Sequence, residues 1–228
     1  FQEANLKIKL VKCQFFKKEL CFLGNIVTKD GIKPDPKKIE TVKKYTVPTC
    51  MEQVRSFVGF VGFYRQYIDH FSQIASPLTA LFKKNTPFKW TPAHQKAFEV
   101  LRDKLLTDPI LIYPNFAETF FIASDASQDA IAAALLQERD GILKPISYAS
   151  RTMISAERNY TVTEKEGLAL LYGLKKFRNL VYNYDVVCLT DHLPLCQIFT
   201  KGPLQNRLAR WALTLQDFAP RLRYVPGK

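Results

Sequence analysis

The chain has 228 residues, of which 47% are hydrophobic and 13% aromatic, which excludes a disordered chain and predicts one or two domains. No stretch approaches the roughly 18 uncharged apolar residues of a membrane span, so no membrane partner is expected. Lys and Arg outnumber Asp and Glu by 33 to 21, and the net charge of +12 favours a polyanionic partner, most often nucleic acid. The alternative is a soluble protein that is basic without such a partner.

The first half is predicted to begin with strands and to continue with helices. Leu6, Ile8 and Leu10 alternate with lysines at the period of a strand, and a second strand is expected over residues 19–27. Asp30-Gly31 is a turn signal, and residues 35–108 are predicted to be helical. Helix starts are expected where a capping side chain precedes a proline or a capping glutamate, at Asp35-Pro36, Thr49 with Glu52, Ser76-Pro77 and Thr91-Pro92.

Near residue 112 the pattern changes from helices to a mixture of strands and helices. Strands are predicted over residues 119–123, 131–136, 145–149, 186–189 and 221–225, and helices over 161–181 and 204–218. Asp140-Gly141 is predicted to turn between two of these strands. Hairpins combined with one helical crossover predict an α/β domain with a mixed sheet.

Three acidic residues of the second half fall where a catalytic site would require them. Asp125 and Asp191 each follow a predicted strand, and Glu166 lies about 60° from the centre of the apolar face of the long helix. Glu164 is expected to face solvent instead. Because like charges held close together cannot all stay ionised without a cation, Mg²⁺ with oxygen ligands would satisfy the group. Each acid remains, as the alternative, a helix cap, a surface charge or a salt-bridge partner.

Five segments of the second half carry a family resemblance. They are FIASDAS at 121–127, NYTVTEKEGLA at 159–169, LTDHLPL at 189–195, RLARWALTL at 207–215 and YVPGK at 224–228. Together they resemble the ribonuclease H domain of gypsy-type LTR retrotransposon Pol polyproteins. The resemblance implies a ribonuclease H fold, in which a five-stranded mixed sheet is flanked by helices.

The first half resembles the same polyproteins immediately upstream of that domain. The segment at 12–27 is similar to the end of the reverse-transcriptase palm with its primer grip, those at 55–68 and 76–84 to the thumb, and that at 88–105 to the join. The resemblance divides the chain into three parts. Residues 1–34 would end the palm, residues 35–111 would form the helical thumb and connection, and residues 112–228 would form a C-terminally truncated ribonuclease H-like domain.

The resemblance also implies roles for the three acids. Asp125, Glu166 and Asp191 match the metal-binding carboxylates of the family, which would bind Mg²⁺, with Mn²⁺ as the alternative ion, and cleave the RNA strand of an RNA–DNA hybrid. The intact protein would also be an RNA-directed DNA polymerase. The polymerase motif and the fourth carboxylate of the family lie outside this chain. A non-catalytic fragment that grips template–primer therefore stays the alternative to an active endonuclease.

Further residues are expected to contact the nucleic acid. The candidates for phosphate or backbone contacts are Arg151, Tyr160, Arg207, Arg210, Lys17 and Lys18, although each lysine is also a candidate for a solvated surface charge. The expected partners are an RNA–DNA hybrid, template–primer and the rest of the Pol polyprotein. The five cysteines include no CxxC pair, which is typical of an intracellular protein, here cytoplasmic or in virus-like particles.

Overall fold

A small sheet followed by four helices makes up the first half of the protein. The computed structural model describes residues 3–84, 86–107, 109–196 and 206–226. The strands, which form an antiparallel sheet in the order β1-β2-β3, are β1 (Leu20–Phe22), β2 (Asn25–Val27) and β3 (Ile32–Pro34). The helices are α1 (Pro36–Lys43), α2 (Met51–Phe63), α3 (Phe71–Ala80) and α4 (Pro92–Leu106), with 3-10 turns at Leu10–Lys12 and Arg65–Tyr67.

Local capping and apolar spacing explain these helices. The Asp35 carboxylate accepts a hydrogen bond from the Lys37 backbone N–H at 2.9 Å, and α1 begins at Pro36 as predicted. Along α2, the side chains of Val54, Phe57 and Val61 recur at helical spacing and are fully buried. The Phe57 ring lies 4.5 Å from that of Phe98 in α4, so one apolar core joins the helices.

The predicted strands of the first half are wrong in two places. Residues 6–9 form no strand, and Leu6 and Ile8 are more than half exposed. Alternation gives a strand its two faces, but these residues have no neighbouring strand among the described residues to supply backbone hydrogen bonds. The run over 19–27 is split into β1 and β2 at Leu23 and Gly24, whose positive φ angles make a tight hairpin turn.

Two predicted helix starts are also wrong. Pro77 lies inside α3 because burial of the stripe formed by Phe71, Ala75 and Leu78 outweighs the one backbone hydrogen bond that proline removes. Thr49 does not cap α2. Its backbone N–H donates to Gln53 Oε1 at 2.8 Å, and the helix begins one residue later than that cap would require.

The second half is a five-stranded mixed sheet with helices, which confirms the predicted fold class. Its strands, in the spatial order β6-β5-β4-β7-β8, are β4 (Phe120–Ala126), β5 (Ala130–Arg139), β6 (Ile142–Thr152), β7 (Val186–Thr190) and β8 (Arg221–Tyr224). The β4–β5 and β5–β6 pairs are antiparallel, and the β4–β7 and β7–β8 pairs are parallel. The helices are α5 (Ser155–Arg158), α6 (Val162–Lys176), α7 (Arg178–Val181) and α8 (Asn206–Gln216).

Helices cover both faces of this sheet. Leu170 and Leu174 of α6 pack against Phe120 and Ile122 of β4 in one buried core. The first half covers part of the opposite face, where the Ser72 backbone N–H at the start of α3 donates to the Ser150 hydroxyl of β6 at 2.9 Å. Within the described residues, no helix has the length and apolar character needed to cross a membrane.

Close packing of α6 on the sheet yields a stability prediction. A Cβ atom on Gly173 would lie 2.9 Å from the Ala133 Cβ and 3.0 Å from the Ile122 Cγ2. Gly173→Ala is therefore expected to lower the free energy of unfolding by about 1–3 kcal/mol, because overpacking forces the helix away from the sheet. Gly59→Ala in α2 is the control, since nothing lies within 4 Å of its added Cβ, and it should stabilise the helix by up to about 1 kcal/mol. Equal Tm shifts in the two variants would contradict this packing.

Candidate active site

Asp125 and Asp191 lie at the carboxyl ends of two neighbouring parallel strands. In the β4–β7 ladder, Ala123 is level with Leu189. Asp125 lies two residues beyond Ala123 within β4, and Asp191 directly follows the last residue of β7. The charges of both carboxylates act on the same group, Glu166 of helix α6, so the two aspartates border one site.

Glu166 approaches this pair from helix α6. The residue is 6% exposed, and its Oε2 atom is buried without a hydrogen-bond partner. Burial, reinforced by the negative charges of Asp125 and Asp191, raises the pKa of Glu166 to about 8, against a smaller lowering by a backbone hydrogen bond from Ala126. The three carboxylates therefore form one electrostatic group that favours a bound proton or cation.

Glu164, two residues earlier in the same helix, is less exposed than the sequence predicts. Its Oε2 atom accepts a hydrogen bond from the Thr161 backbone N–H at 2.9 Å, which caps the start of α6. The same side chain forms an ion pair with Arg207 of α8 and is 21% exposed. The expectation that Glu164 faces solvent is wrong because capping and pairing draw the carboxylate back onto the protein.

A histidine from the first half contacts the first of the three carboxylates. His70 Nε2 donates to Asp125 Oδ2 at 2.9 Å, and His70 Nδ1 lies 2.9 Å from Asp69 Oδ1. Hydrogen bonds to Asp125 and then Asp69 raise the pKa of His70 to about 10, and the same contact lowers the pKa of Asp125. Sequence reasoning missed this residue because His70 and Asp125 are 55 positions apart and no local pattern joins them.

The three carboxylates suit a hard divalent cation in their chemistry. All of their donor atoms are oxygens, and the unpartnered Oε2 atom of Glu166 is the kind of ligand that Mg²⁺ accepts. In the part of the chain that the structure describes, however, no three His, Cys, Asp or Glu side chains are already grouped to hold a metal ion. His70 holds Asp125 Oδ2, so an ion that uses this oxygen would compete with the hydrogen bond, whereas Asp125 Oδ1 makes no hydrogen bond with His70.

The family of this domain follows from a direct comparison. The family described as the RNase H-like domain found in reverse transcriptase matches residues 115–218. These residues belong to that family. The match includes Asp125, Glu166 and Asp191.

The whole chain, upstream helices included, is similar to retrotransposon Pol polyproteins. It is 38% identical over 227 residues to the Pol polyprotein from transposon 297 of Drosophila melanogaster, covering 99% of this chain and 21% of that protein. It is likewise 38% identical to the Pol polyprotein from transposon 412 of the same organism, covering 100% of this chain and 18% of that protein. It is 35% identical to the Pol polyprotein from transposon gypsy, covering 99% of this chain and 23% of that protein. The identity over nearly the whole chain confirms the resemblance to retrotransposon Pol polyproteins that its motifs indicate. The chain spans about a fifth of the length of these relatives.

Solved structures share the fold across both halves. A foamy viral protease-reverse transcriptase in complex with double-stranded DNA matches with a TM-score of 0.74 at 23% identity, covering 93% of this chain and 38% of that one. The foamy viral protein in complex with an RNA/DNA hybrid matches with the same TM-score at 22% identity, covering 95% of this chain and 30% of that one. At these identities the likeness establishes the fold.

Three of the predicted nucleic-acid contacts lie on the RNase H-like domain but already have partners. Arg151 forms two hydrogen bonds, of 2.6 and 2.8 Å, with Glu157, whose carboxylate also accepts from the Ile154 backbone N–H. The Arg207 guanidinium stacks 3.8 Å above the Tyr160 ring while it pairs with Glu164. These contacts organise the start of α6, which carries Glu166.

The remaining predicted contacts are exposed. Lys17 and Lys18 lie in the segment before β1, and Arg210 lies on the outer side of α8. No ion pair within the described ranges involves these three side chains. They remain predictions as nucleic-acid contacts.

Proposed function

We propose that this chain is the ribonuclease H segment of a retrotransposon reverse transcriptase, which hydrolyses the RNA strand of an RNA–DNA hybrid. The observation that carries the proposal is the buried Glu166 carboxylate, repelled by Asp125 and Asp191 at the ends of adjacent strands. Such a cluster in an RNase H-like domain has the oxygen donors needed for metal-assisted phosphodiester hydrolysis.

Each side chain of the site has a separate role in this proposal. Asp125, Glu166 and Asp191 would hold Mg²⁺, which when bound activates the attacking water and stabilises the leaving oxygen. In the absence of a cation, Glu166 carries a proton at neutral pH because its pKa is about 8. Loading the site would therefore release the Glu166 proton, and an ion that binds Asp125 Oδ2 would also displace His70.

The proposed partners follow from charge and from similar proteins. The net charge of +12 supports binding to a nucleic-acid backbone, and the foamy viral structures contain double-stranded DNA or an RNA/DNA hybrid. We infer that the chain contacts hybrid and template–primer as part of a longer Pol polyprotein, inside the cell or in virus-like particles. The division of the chain into a palm end (residues 1–34), a helical thumb and connection (35–111) and a ribonuclease H-like domain (112–228) is part of this proposal.

One observation favours a second function, hybrid binding without cleavage. His70 holds one of the two carboxylate oxygens of Asp125, and no three metal-binding side chains in the described ranges are already grouped. On this alternative, the chain grips template–primer and the carboxylates hold the upstream helices in place through His70.

Cleavage of an end-labelled RNA–DNA hybrid separates the two functions. With Mg²⁺ the chain is expected to cut the RNA strand of the hybrid, to leave single-stranded RNA intact and to lose activity in EDTA. Binding is measured in parallel by fluorescence anisotropy. Tight binding with no cleavage in either Mg²⁺ or Mn²⁺ would overturn the hydrolase proposal and support the binding function.

Hybrid affinity is expected to depend steeply on salt. Raising the salt concentration from 50 to 200 mM should raise the Kd for the hybrid by about a hundredfold if roughly four phosphates are neutralised. Replacing Lys17 and Lys18 together with glutamine should reduce the logarithmic salt slope by about 2 if both lysines contact phosphates. A slope unchanged from the wild type would remove these two lysines from the interface.

A further inference from the structure

A cleft with both polar and apolar lining opens where the first half meets the free edge of strand β6. Its volume is about 630 Å³. Its walls come from the end of α2 and the following 3-10 turn, from β6 and from α6, and the lining residues that matter here are Phe63, Arg65, Tyr148, Arg151, Tyr172 and Lys176. Since β6 is two strands away from β4, the cleft lies about 10 Å or more across the sheet from Asp125.

The cleft carries positive charge that the protein does not neutralise. Arg65 hydrogen-bonds to two neutral oxygens, the Ser72 hydroxyl and the Ser150 carbonyl. Lys176 is exposed and takes part in no ion pair within the described ranges. Only Arg151 is balanced, through Glu157, so two cationic side chains face the cleft without an acidic partner.

Two tyrosine hydroxyls in the cleft are available as hydrogen-bond donors. The Arg151 guanidinium lies 5.6 Å from the centre of the Tyr172 ring, and burial raises the pKa of Tyr172 while the charges of Arg65 and Arg151 lower it. Neither Tyr148 nor Tyr172 uses its hydroxyl in a hydrogen bond within the described residues. The negative charge of Asp69 acts on Tyr148, and that carboxylate is paired with His70.

We propose that this cleft binds a phosphate group, supplied by a nucleic-acid backbone or by a free nucleotide. The Arg65 guanidinium, the Lys176 ammonium and the Tyr172 hydroxyl supply the charged and neutral donors that phosphate oxygens accept. Phe63 is 59% exposed at the rim, where a base or sugar can pack against its ring. This binding requires no cleavage and no metal, so it stands independently of the proposed hydrolysis.

The test uses a DNA duplex without RNA, in EDTA, so that hydrolysis plays no part. The double variant Tyr172→Phe/Lys176→Gln removes one donor and one charge from the cleft, and neither change removes a contact described within the protein. We expect duplex binding to weaken about tenfold and the logarithmic salt slope to fall by about 1. Lys96→Gln, which removes an exposed α4 lysine, is the matched control. Its duplex affinity and its logarithmic salt slope should stay close to those of the wild type.

Thermal shifts with ATP and with inorganic phosphate identify the source of the phosphate. A Tm increase with either probe that the double variant loses assigns the cleft to a free nucleotide or phosphate. Weakened duplex binding without such an increase assigns the cleft to the nucleic-acid backbone. If the double variant matches Lys96→Gln in duplex binding and responds to ATP and phosphate like the wild type, the proposal is overturned.

Discussion

Asp125→Asn is expected to lower the rate of hybrid cleavage by about a thousandfold, because a bound metal ion contributes several kcal/mol to the transition state and each 1.4 kcal/mol is tenfold in rate. Asparagine offers one neutral oxygen in place of the carboxylate that would hold the ion. Hybrid affinity should stay within about threefold of the wild type, since phosphate contacts rather than the carboxylates supply it. Single-turnover cleavage rates and anisotropy measure the two quantities separately.

The same substitution should leave the fold intact. Asparagine can still accept the hydrogen bond from His70, and the His70 and Asp125 side chains are 33% and 48% exposed. Solvent screening at that exposure keeps the loss of one ion pair small, at up to about 1 kcal/mol. A Tm within a few degrees of the wild type is therefore expected, so a lost rate cannot be assigned to unfolding.

Asp140→Asn is the matched control for this prediction. Asp140 lies in the turn between β5 and β6, has a positive φ that asparagine also tolerates, and has a side chain 89% exposed. It should cleave at the wild-type rate, whereas Asp191→Asn should show the loss seen with Asp125→Asn. Wild-type cleavage by Asp125→Asn would exclude this carboxylate group as the catalytic site.

Much of the second half could be predicted because its elements carry their own local signals. Strands β4 and β7 each begin with a continuous apolar run, and α6 has a Thr161 cap followed by an apolar stripe. Parallel pairing of β4 and β7 then places the residues after them together. For this reason Asp125, Glu166 and Asp191 could be selected from the sequence alone.

The remaining features depend on contacts between distant parts of the chain. The alternating residues 6–10 lack a described strand partner, which alternation cannot reveal. The turn at His70 reaches Asp125 only because α3 docks on the sheet, through contacts such as Ser72 with Ser150. Glu164 points back at its own helix start because Thr161 and Arg207 hold it.

Glu166→Gln is expected to raise the stability of the fold at pH 8 and above and to have little effect near pH 4. Burial, together with the charges of Asp125 and Asp191, raises the folded pKa of Glu166 to about 8, whereas the unfolded value is about 4.3. Between these values the folded protein binds more protons than the unfolded chain, so its stability falls as the pH rises through that window. At about 1.4 kcal/mol per pKa unit, the wild type loses about 5 kcal/mol by pH 8. Glutamine, which stays neutral, avoids this loss.

Thermal unfolding from pH 4 to pH 9 measures the effect. Since 1 kcal/mol corresponds to about 2–4 °C at this chain length, the Tm of Glu166→Gln should exceed that of the wild type by roughly 10 °C at pH 8. Glu138→Gln, which changes an exposed side chain of β5, should follow the wild-type profile. Mg²⁺ should raise the Tm of the wild type at pH 8 and not that of Glu166→Gln, because the cation relieves the same repulsion that the substitution removes. Equal pH profiles for the two variants would show that Glu166 is not buried against the two aspartates.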